Sequence, residues 1–177
     1  MDKVEMFGNF AHNSVSGVER RLSFMQRIPE DHIGYLAKHS AATLEYFETF
    51  VKEDFASSYL FGALNSFIEI GMCGNLLVKG GTPDANKLAN EMTDLYARKN
   101  RDYGNSFDKT MDKFGLVVSA IRIGDKVSRL QSLVANKGEA QVKDESIADT
   151  FIDLACYAIM TGLWLYGLEQ EKEEQDE

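Results

Sequence analysis

Apolar residues recur along this chain at helical spacing, and nowhere do they alternate in twos over the length of a strand. The first stretch, to about Ile28, mixes Gly8, Asn9, Asn13, Ser14 and Gly17 with a short amphipathic piece from Val18 to Arg27. Pro29, Glu30 and Asp31 then read as a helix start, with proline early and acids in the first turn. Ile33, Leu36, Ala37, Leu44 and Phe47 carry that helix to about Val51, and an apolar helix follows from about Asp54 to Val78. The clearest break is Gly80-Gly81-Thr82-Pro83-Asp84. It predicts a helix capped by Thr82, with Pro83 at its first position, running to about Lys99.

Lys99 to Ser106 reads as a polar turn in which Gly104 takes the left-handed conformation. A short helix from Phe107 to Phe114 leads into a long one from about Leu116 to Asn136, and the last helix runs from about Asp144 to Leu168. In the long helix Leu116, Ala120, Ile123, Val127, Leu130 and Val134 form the core stripe. The expectation is an all-α fold: one helical bundle with long antiparallel C-terminal helices. Within residues 1-177, the helices of 1-80 have no assigned role, 84-168 form the core that carries chemistry, and 169-177 are an acidic, frayed tail.

Composition narrows the function. Apolar residues make up 44% and charged residues 27%, which suits a globular domain rather than a disordered chain. A net charge of -9 argues against a nucleic-acid polymer as partner, because a phosphate backbone calls for a basic surface. Cys73 and Cys156 form no C-x-x-C pair and read as buried free thiols of a reducing cytoplasm. The first residues lack the apolar core of a signal peptide. The uncharged run from Leu154 to Leu168, about 15 residues, is short of the roughly 20 that span a bilayer, so no membrane is expected.

Two charged rows stand on these otherwise apolar helices. Arg122, Asp125, Lys126 and Arg129 lie at i, i+3, i+4 and i+7, one stripe of alternating sign. Alone, that stripe reads as a solvated face with local ion pairs. Glu145, Asp149 and Asp153 recur every four residues with no Lys or Arg after them on the same helix. The helix dipole explains Glu145 as a first-turn acid, explains Asp149 less well, and fails for Asp153, which sits among Ile152, Leu154, Ala155 and Cys156. Asp153 needs a cation: Lys126, Arg129 or a divalent metal. The Lys99 to Ser106 turn is the third element. Lys99 and Arg101 are basic, Asn100 and Asp102 can read a base or ribose, and Tyr103 can stack; an ordinary helix C-cap with solvated charges is the equal alternative. Glu69 is an exposed-face residue or a fourth acid of the same site. His12, His32 and His39 show no metal-ligand spacing, and Glu91 and Asp94 face solvent.

Three segments in order, Tyr96 to Gly104, Arg122 to Leu130 and Glu145 to Tyr157, resemble the nucleotide modification associated domain of phages and prophages. That domain in turn resembles the all-α NTP pyrophosphohydrolases of the MazG and dimeric dUTPase type. The resemblance implies a homo-oligomeric helical bundle that hydrolyses a (deoxy)nucleoside triphosphate to monophosphate and pyrophosphate with Mg²⁺. The superfamily holds Mg²⁺ on an E-x-x-E pair and an E-x-x-D pair. At those places this sequence has Arg122 and Asp125, then Ser146 and Asp149. On this reading Asp125, Glu145, Asp149 and Asp153 hold the metal, and Asp149, Asp153 and Lys126 are catalytic. Lys99, Asn100, Asp102, Tyr103, Arg122 and Arg129 bind substrate. A non-catalytic nucleotide-binding or sequestering protein is the alternative.

Overall fold

The computed structural model describes residues 1–28, 31–53, 57–136 and 146–175. Among them are eight helices and no strand: α1 Lys3–Asn13, α2 Val15–Met25, α3 His32–Lys52, α4 Ser57–Lys79, α5 Ala85–Tyr103, α6 Ser106–Phe114, α7 Val117–Ala135 and α8 Ile147–Gln175. The fold is all-α, as the 3.6-residue rhythm requires.

Local chemistry sets most boundaries. Asp2, Asp31 and Asp84 each accept a backbone N–H three residues on, from Glu5, Gly34 and Lys87. Asp84, not Thr82, therefore caps α5: its extended backbone (φ -131°) turns its carboxylate onto the open first turn. The helix start expected at Pro29 and Glu30 lies outside the described residues, but Asp31 caps α3. The first 28 residues also form more helix than their glycines and asparagines suggest. Gly8 packs on Thr93, and a side chain at Gly17 would collide with Glu69, so these glycines admit neighbours rather than break helices. At the other end the tail continues α8 to Gln175 instead of fraying from Glu169.

The core lies where α4 meets α8, the most extensive interface in the bundle. Gly71 and Gly74 make the close approach possible: a Cβ at Gly71 would sit 2.5 Å from the Phe151 carbonyl oxygen, and one at Gly74 would sit 2.5 Å from the Phe151 ring. Buried Asn75 donates its side-chain N–H to the Ala148 carbonyl at 3.0 Å, tying α4 to the first turn of α8. α7 and α8 run antiparallel, pairing Ser119 with Thr161 at one end and Arg129 with Thr150 at the other. Of the expected α7 stripe, Ile123, Val127 and Leu130 are fully buried and Leu116, Ala120 and Val134 pack at its edge.

α8 begins at Ile147, close to the start expected near Asp144, which itself lies outside the described residues. Ile147–Glu171 and Ser58–Lys79 are both long and apolar enough to cross a membrane by length and composition, and 56% of the most apolar 18-residue window in each is buried inside the bundle. Their mutual packing accounts for that apolar character.

Candidate functional site

The polar segment after Lys99 is not a turn from its start. α5 continues to Tyr103, so Lys99, Asn100 and Tyr103 occupy its last turn at i, i+1 and i+4. Gly104 (φ 58°) and Asn105 (φ 56°) then both adopt the left-handed conformation, and their N–H groups close on the Asn100 carbonyl. This is the usual way a helix end satisfies its open carbonyls. The two-residue elbow sends the chain into α6, whose first turn brings in Phe107.

α8 forms the opposite wall with Asp153, Cys156, Tyr157 and Met160, spaced i, i+3, i+4 and i+7 on one helix face. Between the walls lies a cavity of about 230 Å³. Phe107 and Tyr157 pack against each other in its wall, ring centroids 5.9 Å apart and planes tilted by 41°, and Tyr103 stands at the rim, 69% exposed.

The charged floor is a three-residue cluster from three helices. Lys126 of α7 donates to Asp153 Oδ2 at 2.9 Å, and Lys99 of α5 reaches Asp153 Oδ1 at 3.5 Å. The Lys126 ammonium also lies 5.8 Å from the Tyr157 ring centroid. Asp153 is half-buried, with a side chain 31% exposed. The cation that its apolar surroundings call for is thus supplied twice. Each amine faces a different carboxylate oxygen. The neighbouring Cys156 thiol is pushed up to about 12, first by burial and then by the Asp153 charge. It is neutral at ordinary pH and serves as an apolar wall rather than a nucleophile.

The structure thus gathers Lys99, Asn100, Tyr103 and Asp153 around one cavity, with Lys126 held on Asp153 behind it. It does not bring the other candidates there. Asp149 sits in a capping box: its Oδ2 accepts from the Ser146 hydroxyl at 2.6 Å and from the Ser146 N–H at 3.0 Å, while its own N–H donates to Ser146 Oγ. Arg129 Nε donates to Thr150 Oγ1 at 3.2 Å, over the first turn of α8. Arg122 and Asp125 are exposed on α7, and Asp102 is exposed on α5; none lines the cavity. Glu69 takes neither expected role: it pairs with Arg21 of α2 at 3.0 Å, on the far side of α4. Phe107, Tyr157 and Met160 were not anticipated as site residues. The signal for the last two was the i+4 and i+7 step from Asp153.

Mg²⁺ takes oxygen ligands in a near-octahedral arrangement. Among the described residues no three acidic, histidine or cysteine side chains gather where they could hold a metal ion. Asp153 turns both oxygens to ammonium groups and Asp149 is engaged in its cap, while Glu145 lies outside the described residues. The described donor set does not by itself fit a resident divalent ion.

No curated protein and no solved structure matches the chain. Residues 99–165 match the family model described as Nucleotide modification associated domain 1, a segment that begins at Lys99 and takes in Tyr103, Phe107, Lys126, Asp153 and Tyr157. That match connects the part of the chain bearing the cavity to nucleotide metabolism.

Proposed function

We propose that the cavity between α5, α6 and α8 binds a nucleotide, and that the chain acts in nucleotide metabolism as a nucleotide-binding protein. The observation that carries this reading is the convergence of Lys99 and Lys126 on one carboxylate beside a cavity walled by Phe107 and Tyr157. Ammonium groups suit a phosphate, aromatic faces suit a base, and the Asn100 amide offers both donor and acceptor to base or sugar. The test is a thermal-shift screen of the full chain against ribo- and deoxynucleotides. A nucleotide at 100 times its dissociation constant adds about 2.7 kcal/mol of stability. Lys126→Ala and Tyr157→Ala are each expected to abolish the shift. A screen in which no nucleotide moves the wild-type melt overturns the reading.

Hydrolysis is the second reading: Mg²⁺-dependent cleavage of a (deoxy)nucleoside triphosphate to monophosphate and pyrophosphate, by likeness to the MazG and dimeric dUTPase type. Its support is Asp153 itself, a carboxylate in the cavity wall next to the groups that would face phosphate. It requires Asp153 to leave its lysines and further ligands to complete the metal site. Incubation with Mg²⁺ and each triphosphate, read for monophosphate and pyrophosphate, decides it. Absence of turnover, or full turnover in Asp153→Ala, sinks the hydrolase.

A further inference from the structure

One primary amine, that of Lys99, lines this cavity, and a second, that of Lys126, stands behind it on Asp153. We propose that the cavity takes a nucleoside monophosphate directly on Lys99 and Lys126, without a divalent ion, and that Asp153 is a resident anion which the phosphate displaces. The inference rests on the nucleotide reading above and names its ligand class.

The charge count comes first. Two ammonium groups and one carboxylate leave the cluster with one net positive charge. A phosphate monoester carries about -1.5 to -2 at neutral pH and three acceptor oxygens, enough to satisfy both amines at once. Lys126 is already held from a second side by the Tyr157 ring, so it keeps its place when Asp153 lets go. The Lys99 side chain is 54% exposed and that of Asp153 31%, so their 3.5 Å pair is screened and readily exchanged.

The number of cations then limits the number of phosphates. Lys99 is the one basic residue among the described residues that line the cavity, and Lys126 stands behind it on Asp153. The outer phosphates of a triphosphate meet no further cation among the described residues that line the cavity. The size points the same way: about 230 Å³ falls below the roughly 300 Å³ at which small-molecule sites usually begin. The neutral Cys156 thiol and the Met160 side chain extend the apolar wall that the two rings begin, suited to a base rather than to more charge.

The test is calorimetric titration of the full chain with dAMP, dGMP, dCMP, dTMP and dUMP, and with the matching triphosphates, in EDTA and again in Mg²⁺. At least one monophosphate is expected to bind in EDTA, no more weakly than its triphosphate and with an affinity that Mg²⁺ leaves unchanged. Asp153→Asn removes the competitor and is expected to tighten monophosphate binding about tenfold, equivalent to about 1.4 kcal/mol. If that variant melts early, Lys99→Met, at an exposed position, carries the same test by weakening monophosphate binding in EDTA. Binding seen only with Mg²⁺, or lost in a folded Asp153→Asn, overturns the metal-free inference and leaves the nucleotide reading standing. A triphosphate preferred in EDTA overturns the monophosphate assignment. No binding of any nucleotide under either condition overturns the underlying reading itself.

Discussion

Replacing Gly71 by alanine puts the closest contact of the bundle under load. The new Cβ would lie 2.5 Å from the Phe151 carbonyl oxygen, 2.8 Å from the Ala155 Cβ and 3.0 Å from the Ala155 nitrogen. Two of these three atoms are backbone, so no rotamer change relieves the clash. Reaching an ordinary 3.4 Å requires α4 and α8 to part by about 0.9 Å at this point. Overpacking of this kind costs about 1–3 kcal/mol, and a clash with backbone in the largest interface belongs at the upper end. Alanine returns about 1 kcal/mol through its better helix propensity. The expected net loss is about 2 kcal/mol, or about 4–8 °C in Tm for a chain of this size. Thermal unfolding followed by circular dichroism measures it. A Tm equal to or above that of the wild type would show that α4 and α8 do not approach as described.

Asp149→Ala removes the capping box of α8 and is expected to lower stability by about 1 kcal/mol in urea unfolding; unchanged stability with lost nucleotide binding would instead return Asp149 to the site. Burial and then the nearby Arg21 guanidinium hold His39 below its ordinary 6.5, so the unfolded chain takes up the proton more readily than the folded one. Stability from this group is full above 6.5 and declines as pH falls through it, so the drop in urea midpoint from about pH 7.5 to about pH 5.5 is expected to be smaller in His39→Gln. With its thiol pushed up to about 12, Cys156 is expected to react very slowly with a disulfide reagent at neutral pH. Asp153→Asn removes one cause of that shift and is expected to speed the reaction; an unchanged rate in a folded variant would mean that the carboxylate does not act on the sulfur.

Much of this was legible in the residues, for stated reasons. The α7 stripe from Leu116 to Val134 repeats at helical spacing, so its burial followed. Gly104 as a left-handed residue followed from a glycine inside a polar run. The need of Asp153 for a cation followed from its apolar neighbours, and Lys126 supplies it. What escaped depends on tertiary neighbours. Gly8 and Gly17 look like helix breakers until Thr93 and Glu69 are seen to fill the space they leave. Asp149 looks like one of a row of acids, but its neighbour Ser146 takes it as a cap. Lys99 was expected in a polar, substrate-binding turn, and the extension of α5 by one turn places it on Asp153. Phe107 belongs to the site only because the Gly104–Asn105 elbow folds α6 against α8.

The glycine-lined approach of α4 to α8 also separates two units that are easily equated. The family match spans residues 99–165, yet the surface against which α8 packs most extensively belongs to α4, ahead of that segment. A fragment cut at those limits would keep Lys99, Lys126 and Asp153 but would leave Phe151 and Ala155 facing water. The segment that is recognisable in sequence is therefore smaller than the unit that folds. The N-terminal half, whatever else it does, supplies the inner wall against which the recognisable half takes its shape.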